Sequence, residues 1–383
     1  MKHIAYITSE YPHPSTPPAG GIGSFIKMMA TSLVKNGYQV TIFLCLSSSD
    51  RIWYDEDIRI VAIKGVSRSR FSPIKDRFKI RTRVKKHIAT DHIDLIEAPD
   101  WEGLHAFFNF KIPVVTRIHG SVTYFNHLQG MSKPRLLYYL EKMAINRSKK
   151  VIAVSEFSGK LTESVFEFPC LNFEVVYNGI DIEAFNTLFQ NATESQNILY
   201  FGTLVRKKGM MALAHIFNIL HTINPNATLT LVGKDAVDFI EKKSTWEVMK
   251  SILTPSALQN VHYKGVVPYE EMSQMISQSA ICVFPSFAEA FPISWLEAMA
   301  MEKPIVASSI GWANESIEDT KSGLLEYPDK YQAFAQKINR LLTDTSYALR
   351  LGRNAKQRVI DFFDQKKLVV QNINVYKNVI GHE

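Results

Sequence analysis

The chain holds 383 residues, 46% of them hydrophobic and 21% charged, with 18 Gly and 16 Pro. At roughly 150 residues per domain that is two or three domains, too long for a disulfide-held mini-protein and too apolar for a disordered chain. Lys and Arg number 44 against 37 Asp and Glu, a formal charge of +7 that raises nucleic-acid and anionic-membrane partners at the outset.

Taken in order, the chain opens on Met1-Lys2-His3-Ile4-Ala5-Tyr6-Ile7. Its apolar run ends at Thr8-Ser9-Glu10, too short for a signal peptide, and reads as a first buried strand. Helical periodicity over Ile22 to Asn36 stops at Gly37. Strands follow at Val40 to Leu46, Ile60 to Ile63 and Ile93 to Glu97. Then come a helix near Leu104 to Phe110, a strand at Val114 to Ile118 and a helix at Leu136 to Arg147. Val151 to Val154 and Val175 to Tyr177 are further strands. Strand and helix in alternation predict a parallel sheet covered on both faces.

Residues 186–197 are mostly polar, lack an apolar run and read as a linker. The rhythm restarts with strands at Ile198 to Gly202, Thr228 to Val232, Val261 to Lys264, Ala280 to Phe284 and Ile305 to Ala307. Helices fall at Met211 to Ile223, Pro292 to Met301, Tyr331 to Leu342, Tyr347 to Phe363 and Leu368 to Ile380. The expected organisation is α/β: a domain over 1–185 to which residues 366–383 return, and a second domain over 198–365. Ligands bind beyond the carboxyl ends of such strands, so two facing sheets predict a deep cleft. Cys45, Cys170 and Cys282 form no CxxC pair, which argues for a reducing compartment and against structural zinc. No run approaches the length of a membrane-spanning helix, and the chain is expected to be cytoplasmic.

The most informative run is Phe284-Pro285-Ser286-Phe287-Ala288-Glu289-Ala290-Phe291-Pro292-Ile293-Ser294-Trp295-Leu296-Glu297. Proline suits a first helical turn, which puts Glu289 in a strand-to-helix loop and Glu297 inside the helix. The free N–H groups of that turn suit an anion such as a diphosphate. A carboxylate in the loop can accept from sugar hydroxyls, and one in the helix can hold a ribose diol. Read alone, each Glu is as well explained by a solvated position or a favourable helix start.

The run resembles the E-x7-E signature of the retaining glycosyltransferases of family 4, which have the GT-B fold: two Rossmann-like domains facing across a cleft. The resemblance spans nearly the whole chain. Gly202-Thr203-Leu204-Val205-Arg206-Lys207-Lys208-Gly209 resembles the family's G-R-L-x-x-x-K-G loop. Asn178-Gly179-Ile180-Asp181, Val261-His262-Tyr263-Lys264-Gly265, Ala19-Gly20-Gly21-Ile22-Gly23 and Glu302-Lys303-Pro304-Ile305-Val306-Ala307 resemble other segments.

The resemblance implies glycosyl transfer from a UDP-sugar or GDP-mannose to a hydroxyl of a glycan or lipid-linked acceptor, as in bacterial polysaccharide or lipopolysaccharide synthesis. It implies retention by front-face attack, with no metal or other cofactor beyond the nucleotide sugar. His119, Glu289 and Lys208 take the catalytic positions. Gly21, Thr203, Arg206, Lys208, Gly265, Glu289, Ala290, Phe291, Ile293 and Glu297 take the donor-binding ones. Thr203 stands where the family has arginine, and Arg206 is the expected substitute. Glu156 resembles a family position that faces the cleft. Asp100, Trp101, Glu102 and Tyr124 are the acceptor candidates, with His127 a weaker one; Trp101 offers a ring that can pack on a sugar face. A nucleotide-sugar binding protein, isomerase or hydrolase with the same two domains is the alternative.

No G-x-S-x-G elbow, H-E-x-x-H or phosphate-binding G-x-x-x-x-G-K-S/T is present. Asp55-Glu56-Asp57 reads as surface loop rather than a metal motif. Residues 64–86 hold ten basic side chains (Lys64, Arg68, Arg70, Lys75, Arg77, Lys79, Arg81, Arg83, Lys85 and Lys86) against Asp76 alone. That segment is +9 and the remainder −2. The charge therefore points to an anionic membrane surface or lipid-linked acceptor, or a solvated helix face, and away from nucleic acid.

Overall fold

A computed structural model describes residues 2–17, 19–66, 71–185 and 196–381. The chain divides into two compact units, Met1–Asn178 with Lys366–Glu383, and Gly179–Gln365. Of the expected linker, residues 186–195 lie outside the described residues, as do Arg68 and Arg70 of the basic segment.

In the first unit the strands are β1 (His3–Thr8), β2 (Gln39–Ser47), β3 (Arg51–Asp55), β4 (Ile58–Lys64), β5 (Leu95–Pro99), β6 (Val114–Ile118), β7 (Lys150–Ala153) and β8 (Phe173–Val175). Their order in the sheet is β3-β4-β2-β1-β5-β6-β7-β8, parallel except for the β3–β4 hairpin. Every residue of the interior strands β1, β5 and β6 is buried, because helices cover both faces of a parallel sheet. The helices are α1 (Gly21–Lys35), α2 (Ser72–Asp91), α3 (Val122–Leu128), α4 (Arg135–Asn146) and α5 (Glu156–Val165). In α1, Ile26, Met29, Ala30 and Leu33 recur at helical spacing and face the core.

The second unit repeats the scheme. Its strands are β9 (Asn197–Phe201), β10 (Thr228–Val232), β11 (Val261–Tyr263), β12 (Ile281–Phe284), β13 (Ile305–Ser308) and β14 (Leu324–Glu326). They lie in the order β11-β10-β9-β12-β13-β14, all parallel. The helices are α6 (Met210–Ile223), α7 (Thr245–Ile252), α8 (Pro255–Leu258), α9 (Tyr269–Gln278), α10 (Ile293–Ala300), α11 (Ala313–Ser316), α12 (Tyr331–Thr343) and α13 (Thr345–Phe362). Both units are Rossmann-like, with strand order reversing beside the first strand of each.

The last helix, α14 (Gln365–Ile380), belongs to the core of the first unit. Leu368, Val369, Ile373, Val375 and Tyr376 pack there. A buried polar chain fixes its register. Arg117 on β6 donates to both oxygens of Glu97 on β5, at 2.8 and 3.1 Å, and to Asn372 on α14. Tyr376 donates to Glu97 at 2.7 Å, and its hydroxyl meets that of Tyr6 at 3.0 Å. Buried charge is tolerated only when its hydrogen bonds are supplied, and here α14 supplies two of them.

Three expectations are corrected. Leu104 to Phe110 is not a helix. The chain makes a short 3-10 turn at Trp101–Gly103, with Glu102 and Gly103 in the left-handed region, and an added Cβ on Gly103 would lie 2.5 Å from the Leu140 carbonyl. Asp55 is not free surface loop: it ends the hairpin strand β3, accepts from the Tyr11 hydroxyl at 2.7 Å and pairs with Lys27 at 3.0 Å. The basic segment is less exposed than its count implies. Arg77 on α2 is buried against Glu102, and Lys79 and Arg83 share Asp50.

Candidate functional site

In the second unit, the loops after β9 and β12 are locked together at the carboxyl edge of the sheet. Gly209 has φ +80, and a Cβ there would lie 1.8 Å from the Pro285 carbonyl oxygen, so only glycine fits. The Lys207 carbonyl accepts from the N–H groups of Phe287 at 2.8 Å and Ala288 at 3.3 Å. This places the ammonium of Lys208 2.9 Å from Oε1 of Glu289, which also accepts from Ser286 Oγ at 3.2 Å. Glu289 and Glu297 are both buried, at 8% exposure each.

Below them, the buried Tyr200 hydroxyl donates to the Thr203 carbonyl at 3.1 Å. Burial and the Glu289 charge push that phenol well above its ordinary range. Lys207, which the sequence reading passed over, is affected too. Burial pushes its ammonium down to about 8, with Glu289 acting to raise it and Lys208 to lower it.

Gly202, Gly233 and Gly265 follow the ends of β9, β10 and β11, all with positive φ. The Gly233 N–H donates to the Gly265 carbonyl at 2.8 Å. A Cβ on Gly233 would lie 2.1 Å from the Gly202 carbonyl, whereas the Cβ position of Gly265 is open. The result is a low row of backbone along the strand ends. Beside it, Ala290 and Phe291 are buried, Pro292 caps α10, and Ile293 opens the helix half-buried.

Thr203 is exposed. Arg206, the expected substitute for the family's arginine, is already engaged by a carboxylate. Its guanidinium is held by the buried Asp238, Nε to Oδ2 at 2.7 Å and a terminal nitrogen to Oδ1 at 2.9 Å. Asp238 also accepts from the N–H groups of Ile240 and Glu241. Arg206 thus anchors the 237–244 turn and lines a separate cavity of about 850 Å³ with His215, Glu247 and Tyr331.

In the first unit, His119 follows β6, its ring edge-on to Phe25 at 4.9 Å. Phe25 in turn lies under the Arg117 guanidinium at 4.6 Å. Burial, then the Arg117 charge, hold the imidazole well below its usual pKa, so it is neutral at physiological pH.

Two acceptor candidates are corrected. Asp100 is fully buried, and its Oδ1 accepts the His119 N–H at 2.9 Å. Burial pushes this carboxyl up to about 8. Tyr124 is fully buried beside Phe125. Neither presents a surface to an acceptor. Trp101 and Glu102 remain half-exposed, and His127 is exposed. Glu156 opens α5, exposed and paired with Lys160 at 3.0 Å.

Sequence reasoning missed Glu141. This buried carboxylate on α4 accepts from the N–H groups of Glu102, Val122 and Thr123, tying the loops after β5 and β6 together. Its signal was an acid set among the apolar residues of a helix. It also missed Glu10, whose carboxylate accepts from Gly20 N–H at 2.9 Å and Gly23 N–H at 2.7 Å. Gly21 lies between them with open space at its Cβ position.

Among the described residues no group of three or more His, Cys, Asp or Glu is placed to hold a metal ion, and no helix is long and apolar enough to cross a membrane.

Residues 19–184 match the model of Glycosyltransferase Family 4, and residues 184–358 that of Glycosyl transferases group 1. An uncharacterized glycosyltransferase of Methanocaldococcus jannaschii is 26% identical over 98% of this chain and 97% of its own. The structure of sucrose-phosphate synthase from Thermosynechococcus elongatus superposes with a TM-score of 0.83 at 20% identity, covering 99% of each chain. That of Anabaena HepE in complex with UDP and glucose gives 0.75 at 20% identity, over 98% of this chain and 99% of the other. With two Rossmann-like units, a C-terminal helix packed on the first, and the two family models together matching residues 19–358, the chain is a glycosyltransferase of GT-B fold that matches both the Glycosyltransferase Family 4 and the Glycosyl transferases group 1 models.

Proposed function

We propose that this glycosyltransferase moves a sugar from a UDP-sugar, with retention at the anomeric carbon, to a hydroxyl of a glycan or lipid-linked acceptor in polysaccharide synthesis. The observation that carries the reading is the Lys208–Glu289 pair at 2.9 Å on the carboxyl edge of the second sheet, with Glu297 buried in the helix that follows. The similarity to a protein solved with UDP and glucose favours uridine as the base.

In this reading residues 198–365 form the donor domain. Glu297 accepts from the ribose hydroxyls and Glu289 from the sugar hydroxyls. The open backbone at Gly265 admits the base. Lys208 and the N–H groups at the start of α10, from Ile293, face the diphosphate, and those of Ala290 and Phe291 reach the sugar. Negative charge grows there as the C1–O bond lengthens, and donors already in position stabilise it. The departing phosphate oxygen helps to take the acceptor proton, so Glu289 is no covalent nucleophile, unlike its counterpart in retaining glycosidases.

Residues 1–185 with 366–383 form the acceptor domain. Gly21 adds a backbone N–H toward the diphosphate. The neutral His119 serves the sugar hydroxyls, and Trp101 and Glu102 serve the acceptor. The exposed bases Lys64 at the end of β4 and Lys75, Arg83, Lys85 and Lys86 on α2 suit an anionic membrane surface on the cytoplasmic side.

The test is a panel of nucleotide sugars with acceptor, scored by nucleotide release. UDP should appear only when acceptor is present, and Glu289→Ala should abolish it. Unchanged turnover in that variant overturns the site. Reversing Lys85 and Lys86 to Glu should weaken binding to anionic vesicles while sparing nucleotide affinity.

A further inference from the structure

We propose that Glu10 is a positioning residue for glycosyl transfer, its carboxylate holding the Gly20–Gly23 turn in the shape that presents Gly21. This rests on the reading of Gly21 as a diphosphate contact.

Glu10 sits just past β1, at the carboxyl end of an interior strand, where ligands of such sheets bind. Thr8 fixes it there. The Thr8 hydroxyl donates to the Glu10 carbonyl at 2.8 Å and accepts the Glu10 N–H at 3.1 Å. The carboxylate then spans the start of α1, Oε2 on the Gly20 N–H and Oε1 on the Gly23 N–H. Backbone packs on backbone beneath it. A Cβ on Gly23 would lie 3.2 Å from the Glu10 carbonyl oxygen and 2.8 Å from the Ala19 Cβ.

Helices ordinarily take their N-terminal acceptor from the side chain at the N-cap itself. Here the N-cap is Gly20, with no side chain, and the acceptor arrives from ten residues earlier. The consequence is steric. Both ends of the turn are held, yet the surface at Gly21 stays bare, with nothing within 4 Å of its Cβ position. A serine or aspartate at position 20 would cap the helix but would put its own atoms beside Gly21.

Two effects of the carboxylate on the donor oppose each other. Its negative charge repels an incoming diphosphate, and its grip orders the backbone meant to receive it. The positioning term dominates, because misplacing a contact by about 1 Å costs up to about 100-fold in rate.

The test compares wild type with Glu10→Gln and Gly23→Ala. Glutamine keeps one acceptor but turns an NH2 toward the second backbone N–H. Alanine at position 23 forces the same turn apart from the other side. Both variants should exchange the amides of residues 20–24 faster than wild type, with the melting temperature unchanged. Both should lose kcat about 10-fold or more, with the donor KM changed less than about threefold. Unchanged exchange, kcat within about twofold of wild type, or a gain in donor affinity for Glu10→Gln overturns the proposal.

Exchange reads the grip on the loop without any donor. Glu289→Gln, assayed beside these variants, separates the two readings: if it too leaves turnover intact, the site in the second unit fails, whatever Glu10 does.

Discussion

The ammonium of Lys208 lies 2.9 Å from the Glu289 carboxylate, the two brought together by loops from different strands. In the proposed reading a donor diphosphate offers Lys208 more negative charge than Glu289 does, so substrate should rearrange the pair. Lys208→Ala should lower kcat by about 10² to 10³, the usual loss on removing one preorganised donor to a developing charge. Stability should fall by about 1 kcal/mol, since Lys208 is only partly buried and Ser286 still donates to the Glu289 carboxylate. Steady-state kinetics and thermal melting check both. Because the two residues share one site, the Lys208→Ala, Glu289→Ala double variant should lose less than the sum of the singles.

Arg206→Ala should behave in the opposite way. Its partner Asp238 is buried and would lose two hydrogen bonds from a charged donor. Urea denaturation should register a loss of about 2 kcal/mol. Nucleotide affinity measured by calorimetry should stay close to wild type. A large loss of affinity with stability intact would instead put Arg206 on the phosphates.

Tyr376→Phe tests the anchoring of α14. It removes the hydroxyl that donates to Glu97 at 2.7 Å and leaves that buried carboxylate short of a donor. The expected cost is about 2 kcal/mol of folding stability, read as a lower melting temperature. Tyr6→Phe should cost less, because the Tyr6 hydroxyl meets Tyr376 rather than the charge itself.

Asp91 sets an acid limb. Burial acts to raise its carboxyl, but hydrogen bonds from Thr90, His87 and Arg59 outweigh it and hold the group down at about 2. A pKa lowered on folding stabilises fully above the unfolded value, and the gain is lost as pH falls through the folded one. Asp91→Asn should therefore lower the urea midpoint at neutral pH, with the gap to wild type closing between about pH 4 and pH 2. A gap constant with pH would show that Asp91 contributes by packing alone.

Much of this was legible in the residues. The buried strand ends, the E-x7-E spacing and the amphipathic last helix are local patterns, and local sterics and burial fix them wherever they occur. Two other features were not legible. Hairpin strand β3 has Ile52 and Tyr54 exposed on an edge, so its alternation does not mark a buried face. The turn at Glu102 and Gly103 depends on the Leu140 carbonyl, which comes from a distant helix.

The sequence by itself determined two α/β halves, a family resemblance and the residue types of a candidate donor site. Only the tertiary structure decided which side chains are free to act. Arg206 and Lys208 stand two apart in one basic run, yet one is held by Asp238 and the other faces Glu289. Asp100 and Trp101 are neighbours, yet one is buried behind His119 and the other stays partly exposed. Glu10 gave no signal at all, because its partners lie ten and thirteen residues away across a turn. A side chain's charge is a property of its type. Whether that charge is already spent on a neighbour depends on contacts between segments that no local pattern encodes.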